Sequence, residues 1–370
     1  MSWRSWAVEE CTRIRELDRW RDTCEFDGKG VVGSVGGRRV VSFASNDYLA
    51  LSHHPDVVAA AHEALDRWGT GTGSARLLSG SRPVHGELEH ALAVHKRVDS
   101  ALVFSSGYAA NLGVLTSLAS EGTMICSDEM NHASIVDAAR LARARVAVYP
   151  HKDMAALERI MRKGERCVVV SDTVFSMDGD TAPLGDLVEL CARASALLVL
   201  DEAHAVLGPH PSLDGADVVR IGTLSKHLGA VGGFAAGSRE LVDLVRNRAR
   251  SFIFTTAPTP PDMAAALAAL RILDSSQGDV LKKRLRTLVH RLRPGHETPI
   301  IPFIVGEDAR ALALARKLLD RGYFVPAIRP PSVPAGTARL RITLSIAHDE
   351  DDIDNLHNIL TATMPQPAHA

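Results

Sequence analysis

The sequence predicts an α/β fold: a mostly parallel, seven-stranded sheet flanked by helices on both faces, followed by a smaller α+β domain. Three observations carry that expectation. Short apolar runs alternate with helix-length segments from about residue 100 to residue 236, the pattern of repeated strand–helix units. Within the runs the apolar residues are continuous rather than alternating, as in strands covered on both faces. After about residue 240 the alternation gives way to paired helices followed by strands and helices in a different order.

Taken in order, residues 1 to about 40 read as an N-terminal helix broken by the glycine-rich stretch from Gly28 to Gly37. Pro55 to Trp68 reads as a helix. The expected strands are Ala101–Phe104, Thr123–Ser127, Arg145–Tyr149, Cys167–Ser171, Leu197–Leu200, Val218–Ile221 and Gly233–Ala236. Ala155–Lys163 and Gly185–Ala194 are helices between them. Beyond residue 240, helices are expected near Asp262–Asp274, Val280–Leu292, Ala309–Arg321 and Glu350–Thr361, with strands at Pro299–Val305 and Ala338–Leu344. This divides the chain into an arm (1–45), a large domain (46–240) and a C-terminal domain (241–370).

Composition removes several classes of function. The chain has 370 residues, 46% hydrophobic and 23% charged, and a net charge of -2, which points to no nucleic-acid or acidic-membrane partner. The basic clusters Arg246 to Arg250 and Lys282 to Arg286 read as solvated helix faces. No apolar run approaches the roughly 20 residues that span a bilayer. The N-terminus is charged and lacks the apolar core of a signal peptide. Five cysteines without CxxC pairing read as free thiols, so the expected compartment is the cytoplasm.

The chemistry concentrates at strand ends, where ligands bind in such sheets. Lys226 lies in a Gly/Ser/Thr-rich turn, Gly222-Thr-Leu-Ser-Lys-His-Leu-Gly. Asp201 ends the apolar strand of Leu-Val-Leu-Asp-Glu-Ala-His204. Together they supply what pyridoxal phosphate needs: a primary amine for the aldehyde and a carboxylate to keep the ring nitrogen protonated. An isolated lysine is ordinarily a solvated surface group, and Asp-x-x-His is equally half of a metal site; partner ligands at metal-like spacing are lacking.

Other strand-end segments carry weaker signals. Phe104-Ser-Ser-Gly-Tyr-Ala-Ala-Asn111 opens a helix and can cradle a phosphate, or be an ordinary turn. His132, in Asp128-Glu-Met-Asn-His132, can stack on an aromatic cofactor, although a lone histidine is more often structural. Ser176 lies in the polar loop from Asp172 to Asp180 and can donate to an anion or a ring oxygen. Gly69-Thr-Gly-Thr-Gly-Ser-Ala-Arg76 lacks the P-loop lysine and follows a helix, so it reads as a flexible loop bordering a site. Arg329 stands on a proline-stiffened loop suited to a bidentate carboxylate clamp. Arg339 and Arg341, further along, read as surface salt-bridge residues. No nucleophile elbow occurs, nor a dinucleotide-binding glycine pattern after a strand.

Taken together the chain resembles the α-oxoamine synthases, a branch of the fold-type I pyridoxal phosphate enzymes, from about Phe43 to Asp354. Eight segments in order carry the resemblance: Ser45-Asn-Asp-Tyr-Leu49, Leu77-Leu-Ser-Gly80, Ser106-Gly-Tyr-Ala-Ala-Asn111, Asn131-His-Ala-Ser134, Val174-Phe-Ser-Met-Asp-Gly-Asp180, Asp201-Glu-Ala-His204, Thr223-Leu-Ser-Lys226 and Ile328-Arg-Pro-Pro-Ser-Val-Pro-Ala-Gly336.

The resemblance implies residue roles. Lys226 joins the cofactor and later moves the substrate α-proton; Asp201 pairs with the pyridinium nitrogen. His132 stacks on the ring, His204 contacts its phenolate oxygen, and Ser176 lies close by. Gly107, Tyr108 and Thr223 hold the phosphate side, with Thr255 and Thr256 reaching the phosphate of the neighbouring subunit of an obligatory homodimer. Arg329, with Asn46 and Ser332, binds the amino-acid carboxylate, and Arg21 (or Arg19) contacts the acyl substrate.

The implied reaction is a decarboxylative condensation, closest to the branch that joins L-alanine to pimeloyl-CoA or a pimeloyl carrier protein in biotin biosynthesis. Members using glycine with acetyl-CoA are the alternative, and a non-catalytic cofactor-binding regulator is disfavoured because no DNA-binding pattern precedes the first motif. The chain departs from the family pattern at Ala205-Val-Leu-Gly208, in a shortened His204–Thr223 segment, and at Ser332, usually threonine.

Overall fold

The computed structural model describes residues 1–161, 166–208 and 212–363. Its contacts divide the chain into two compact units, one of residues 47–176 with 180–284, the other of residues 1–46 and 177–179 with the chain from 285 onward.

The smaller unit begins with α1 (Trp3–Glu16), capped by Ser2, whose hydroxyl accepts the Ser5 amide. Strands β1 (Phe26–Lys29), β2 (Val32–Val35) and β3 (Arg38–Ser42) follow as an antiparallel meander. This corrects the reading of residues 1–40 as one interrupted helix. The glycines there are hairpin corners: Gly30, Gly36 and Gly37 have positive φ and reverse the chain between strands.

The larger unit opens with a short 3₁₀ turn, Leu51–His53, then α2 (Pro55–Trp68) and α3 (Pro83–Lys96). Strands and helices then alternate: β4 (Ser100–Phe104), α4 (Gly107–Leu118), β5 (Thr123–Asp128), α5 (Ala133–Leu141), β6 (Arg145–Tyr149), α6 (Met154–Met161), β7 (Arg166–Asp172), α7 (Leu184–Ala194), β8 (Leu197–Asp201), β9 (Asp217–Thr223) and β10 (Gly233–Gly237). The seven strands form one sheet in the order β4-β10-β9-β8-β7-β5-β6. Neighbours from β9 to β6 are parallel; β10 runs antiparallel to both β4 and β9. All seven expected runs are strands of this sheet.

The continuous apolar runs have a direct cause. Val168 and Val170 of β7 point into a core shared with Ala110, Val114 and Leu115 of α4. Cys167 and Val169, one residue out of phase, face the opposite core with Leu157 of α6 and Leu187 of α7. Each such side chain stabilises the fold by ~1.5–3 kcal/mol on burial, so both faces select apolar residues. Strand ends escape this demand, and polar residues appear there; those at the carboxyl ends include Asp128, Asp172 and Asp201.

The larger unit closes with α8 (Arg239–Arg248), α9 (Arg250–Ile253), α10 (Pro260–Leu273) and the start of α11 (Ser276–Leu292). Helix α10 packs on α2 and α3, so residues 241–284 group with the sheet unit rather than beginning a C-terminal domain. The composition change at 240 marks the end of the sheet, not of the unit.

The rest of the smaller unit comprises β11 (Ile300–Gly306), α12 (Asp308–Asp320), β12 (Tyr323–Phe324), β13 (Ala327–Ile328), β14 (Ala338–Thr343) and α13 (Glu350–Thr361). β11, β14 and β13 form an antiparallel sheet, while β12 pairs in parallel with β3. The N-terminal arm is thereby part of the C-terminal fold. The expected helix end at Lys163 and part of the His204–Thr223 segment lie outside the described residues. Among the described residues no helix is long and apolar enough to cross a membrane.

Candidate active site

Lys226 is presented by a tight turn after β9. The Leu224 amide donates to Gly232 O (2.9 Å), the Ala230 amide to Leu224 O (2.9 Å) and the Gly229 amide to Lys226 O (3.0 Å). Gly229 permits this closure: its φ is +64°, and a Cβ there would sit 2.4 Å from the Ser52 nitrogen. The half-buried Lys226 amine lies 2.8 Å from His204 Nε2. His204 is buried, and its Nδ1 is 2.5 Å from the Tyr48 hydroxyl.

Asp201 ends β8. Its Oδ1 accepts the Ala203 amide (2.9 Å) and its Oδ2 accepts Asn111 Nδ2 (2.7 Å). Asn111, buried on α4, also donates to Ser134 Oγ (3.0 Å), and its own Oδ1 has no partner. Asp172 ends the adjacent strand in register with Asp201. Complete burial pushes the Asp172 carboxyl well above the usual carboxylate range, and the nearby Asp201 charge adds to the shift. Asp172 accepts the His132 amide at 2.8 Å.

His132 caps α5, its Nδ1 accepting the Ser134 amide (3.2 Å) and lying 2.7 Å from Ser134 Oγ. Burial of its inner side lowers the imidazole pKa; Asp201 opposes that shift and Lys226 reinforces it. Asp201, Lys226 and His132 thus act on one another electrostatically within one site.

The N-terminus of α4, the helix that carries Asn111, follows β4. Ser106 caps it by accepting the Ala109 amide (3.1 Å), and Gly107 is its first residue. A Cβ on Gly233 of β10 would come within 2.4 Å of the Gly107 nitrogen, so glycine there lets the helix end approach the strand. A Cβ on Gly107 would itself meet Thr223 at 3.4 Å. Thr223 Oγ1 lies 3.0 Å from Gly232 O and accepts the Ser225 amide at 3.1 Å. A capped helix N-terminus beside a threonine is suited to an anion.

Tyr108 is exposed and its hydroxyl donates to Asp137, a bond that raises the phenol pKa. Thr255 is half-buried and Thr256 exposed; Thr256 bridges to Ala75. The Gly69–Arg76 loop is therefore anchored rather than free. Arg76 donates to Glu89 at 2.9 and 3.1 Å, and Thr72 Oγ1 to Ala257 O at 3.1 Å. Ser176 is half-buried in the loop after β7, held by the Phe175 amide on Asp180 O (3.0 Å).

The donor set fits pyridoxal phosphate. It offers a primary amine for the aldehyde, a carboxylate for the ring nitrogen, an imidazole to face the ring and a helix N-terminus for the phosphate. The partnerless Asn111 Oδ1 lies buried beside that carboxylate.

The proposed carboxylate and acyl contacts all belong to the smaller unit. Arg329 donates to the Asp18 carbonyl, and the exposed Ser332 donates its amide to Arg329 O (3.1 Å). Arg19 and Arg21 are exposed. Asn46 is partnered not by Arg329 but by Arg341, whose guanidinium reaches Asn46 Oδ1 at 3.2 and 3.3 Å and Thr343 Oγ1 at 2.8 Å. Arg339 pairs with Asp178. Both Arg339 and Arg341 are buried, which corrects their reading as surface residues: alternate positions of β14 do not distinguish the faces when both are covered. Tyr48 and Asn111 are not singled out in the sequence, and Arg341 is read there only as a surface residue. The first two lie inside the segments 45–49 and 106–111, and that membership was the signal that could have found them.

The chain matches the aminotransferase class I and II family over residues 38–360 and belongs to it. Within that class it is similar to proteins named 8-amino-7-oxononanoate synthase. The one from Geobacter sulfurreducens is 45% identical over 93% of this chain and 94% of its own length. The one from Herminiimonas arsenicoxydans is 44% identical over 90% and 92%. Among solved structures, a Sphingomonas wittichii serine palmitoyltransferase superposes with a TM-score of 0.89 at 29% identity, covering 97% of this chain and 96% of that one. A lysine-to-alanine variant of a serine palmitoyltransferase from S. paucimobilis, with a bound pyridoxal phosphate–myriocin aldimine, also gives 0.89, at 28% identity and 96% coverage of each chain. The Francisella tularensis 8-amino-7-oxononanoate synthase gives 0.74 at 24% identity, covering 87% and 97%, a likeness of fold.

Proposed function

We propose that this chain is a pyridoxal phosphate-dependent acyltransferase that condenses L-alanine with a pimeloyl thioester, of CoA or of a carrier protein, in biotin biosynthesis. The products are 8-amino-7-oxononanoate, CO2 and the free thiol. The observation that carries the reading is the Lys226–His204–Asp201 constellation at the sheet's carboxyl edge, in a chain 45% identical to proteins of that name. Fold alone does not choose the substrate, because serine palmitoyltransferases superpose closely; the extensive identity to proteins named 8-amino-7-oxononanoate synthase favours alanine.

When bound, the cofactor supplies an electron sink for charge at the alanine α-carbon. Lys226, whose amine lies beside His204, would take the α-proton of the bound alanine. The α-carbon then bonds to the thioester carbonyl carbon, the thiolate leaves, the alanine carboxylate departs as CO2, and a proton returns to the same carbon. Asp201 holds the ring nitrogen's proton, and His204 sits against the Lys226 amine. His132 and Ser176 orient the ring, and Gly107, Tyr108 and Thr223 address the phosphate.

Arg329, Ser332 and Asn46 are assigned to the alanine carboxylate and Arg21 to the acyl chain; the Arg341–Asn46 pair supports drawing Arg341 into the same role. The working form is a cytoplasmic homodimer in which Thr255 and Thr256 serve the neighbouring subunit. The test is a screen of alanine, glycine and serine against acyl thioesters of differing length, read by thiol release. Alanine with the pimeloyl thioester should give the highest kcat/KM. A clear preference for glycine with a short acyl group would replace this reading with that of another family branch.

A further inference from the structure

Outside the residues assigned above, the strand-end loops of β5, β6 and β7 are joined by one charged cluster. His151, in the turn after β6, lies with Nδ1 2.9 Å from Asp128 Oδ1 and Nε2 2.9 Å from Asp180 Oδ2. Lys152 Nζ donates to the same Asp180 oxygen at 2.8 Å, and its amide donates to Asp128 Oδ2 at 2.9 Å. The His151 amide donates to Glu129 Oε1 at 2.8 Å. The imidazole also meets Phe175 edge-on, with ring centroids 4.4 Å apart.

The geometry dictates the charge state. An ionised carboxylate only accepts, so an imidazole bridging two of them must carry a proton on both nitrogens. The neighbourhood agrees. Partial burial opposes the cation, but bonds to Asp128 and Asp180 outweigh it and hold the His151 pKa up to about 9. Asp180, bonded to His151 and Lys152, is held below the usual carboxylate range against its own burial. The groups facing the imidazole from the other loops are Asp128, Asp180 and Phe175, and the flanking charges are Glu129 and Lys152.

The two loops tied by this bridge carry cofactor-facing candidates. Asp128 begins the segment ending in His132, and its Oδ1 also accepts the Met130 amide at 2.9 Å. Asp180 accepts the Phe175 amide through its carbonyl, next to Ser176. We propose that His151 is a positioning residue: as a doubly bonded imidazolium it fixes the His132 loop against the Ser176 loop, and so sets how the two side chains meet the cofactor ring. This rests on the cofactor reading above. Loss of the bridge leaves the sheet intact and loosens the loops, because His151 and Asp180 lie beyond the strand ends and Asp128, the last residue of β5, keeps its pairing with Tyr149, while Lys152 alone still joins the two carboxylates.

The test uses the full-length protein loaded with pyridoxal phosphate, as wild type and as His151→Gln. A glutamine can bond to one carboxylate but cannot bridge both as a cation. Two readouts are taken together: amide hydrogen exchange in the peptides spanning 128–134 and 172–182, and circular dichroism of the cofactor absorption band per bound cofactor. The proposal expects exchange in both peptides to quicken by about tenfold or more, the scale of losing charge-assisted bonds. It also expects a changed dichroism band while borohydride still labels Lys226. In wild type the same dichroic change should appear as pH rises through about 9 and be absent from the variant.

Unchanged exchange in both peptides overturns the tether. Faster exchange with an unchanged band makes His151 a structural contact only, which also overturns the proposal. Should His151→Gln fail to fold, Asp180→Asn removes one of the two charges with little change of shape and is read the same way. A wild type in which borohydride labels no lysine sinks the underlying reading instead, and the exchange arm still decides the tether.

Discussion

The Lys226 amine lies 2.8 Å from His204 Nε2, and the other nitrogen of that imidazole lies 2.5 Å from the Tyr48 hydroxyl. The three groups form a chain in which the state of one end constrains the other. A protonated lysine donates to Nε2, which obliges Nδ1 to carry the hydrogen and donate to Tyr48. A neutral lysine amine permits the reverse tautomer, with the phenol as donor. Tyr48→Phe removes the distal partner without touching Lys226. The expected result is a fall in kcat of about tenfold, equivalent to ~1.4 kcal/mol, with cofactor binding preserved. Steady-state kinetics beside a cofactor-binding titration check this, and an unaltered kcat would show that the tyrosine only fills space.

Asp201→Asn keeps shape and loses charge. The amide still accepts from Ala203 through its oxygen, but it cannot hold the ring nitrogen protonated. Cofactor should still bind while turnover falls by several kcal/mol in barrier, at ~1.4 kcal/mol per tenfold. Single-turnover loss of the alanine α-deuterium is the measurement, and a near-normal rate would remove Asp201 from the mechanism.

The residue after Asp201 makes a separate prediction about acid stability. Glu202 is buried between Lys96 Nζ (2.8 Å) and the Arg220 guanidinium (2.7 Å). Burial alone would raise its pKa, but the two cations prevail and hold it down to about 2. Its folded pKa is thus below its unfolded value of roughly 4.3. The stability it contributes is present above that value and is lost as pH falls from there toward 2. Glu202→Gln leaves the buried Lys96 and the half-buried Arg220 without their carboxylate and should cost ~3–5 kcal/mol near neutral pH. Denaturant melts between pH 3 and 7 are the check: the variant should lose the acid-side slope seen in wild type.

What the sequence made legible follows from what each residue must do alone. The inner strands of the large sheet were readable because burial on both faces demands apolar residues through most of their length; the edge strand β6 is apolar at Val146 and Val148 although both are exposed. Lys226, Asp201 and His204 were readable because polar groups at strand ends in a buried sheet stand out. Residues 26–42 were misread because short strands with exposed faces carry no apolar run, and only the positive-φ glycines mark them. Arg341 was misread because a buried arginine is recognised by its partners, Asn46 and Thr343, and the former is far away in sequence. His151 gave no signal for the same reason.

Arg329 and Arg341 are the two arginines proposed for the alanine carboxylate. A bidentate guanidinium–carboxylate pair is shape-specific, and lysine presents only a point charge. Arg329→Lys should weaken alanine binding by about tenfold or more, since bonds to charged groups contribute ~1.5–3 kcal/mol. Arg341→Lys, acting through Asn46, should have the smaller effect. Alanine titrations followed by the cofactor spectrum rank the two, and the reverse order would transfer the clamp to Arg341.

The most direct test of the central claim is chemical trapping. The purified protein, loaded with pyridoxal phosphate and reduced with borohydride, is digested and its peptides are mapped by mass spectrometry. The account predicts that the cofactor is fixed to one peptide, the one containing Lys226, and that prior addition of L-alanine suppresses the labelling because the amino acid displaces the lysine. Label on any other lysine, or labelling of Lys226 that alanine leaves untouched, would contradict it.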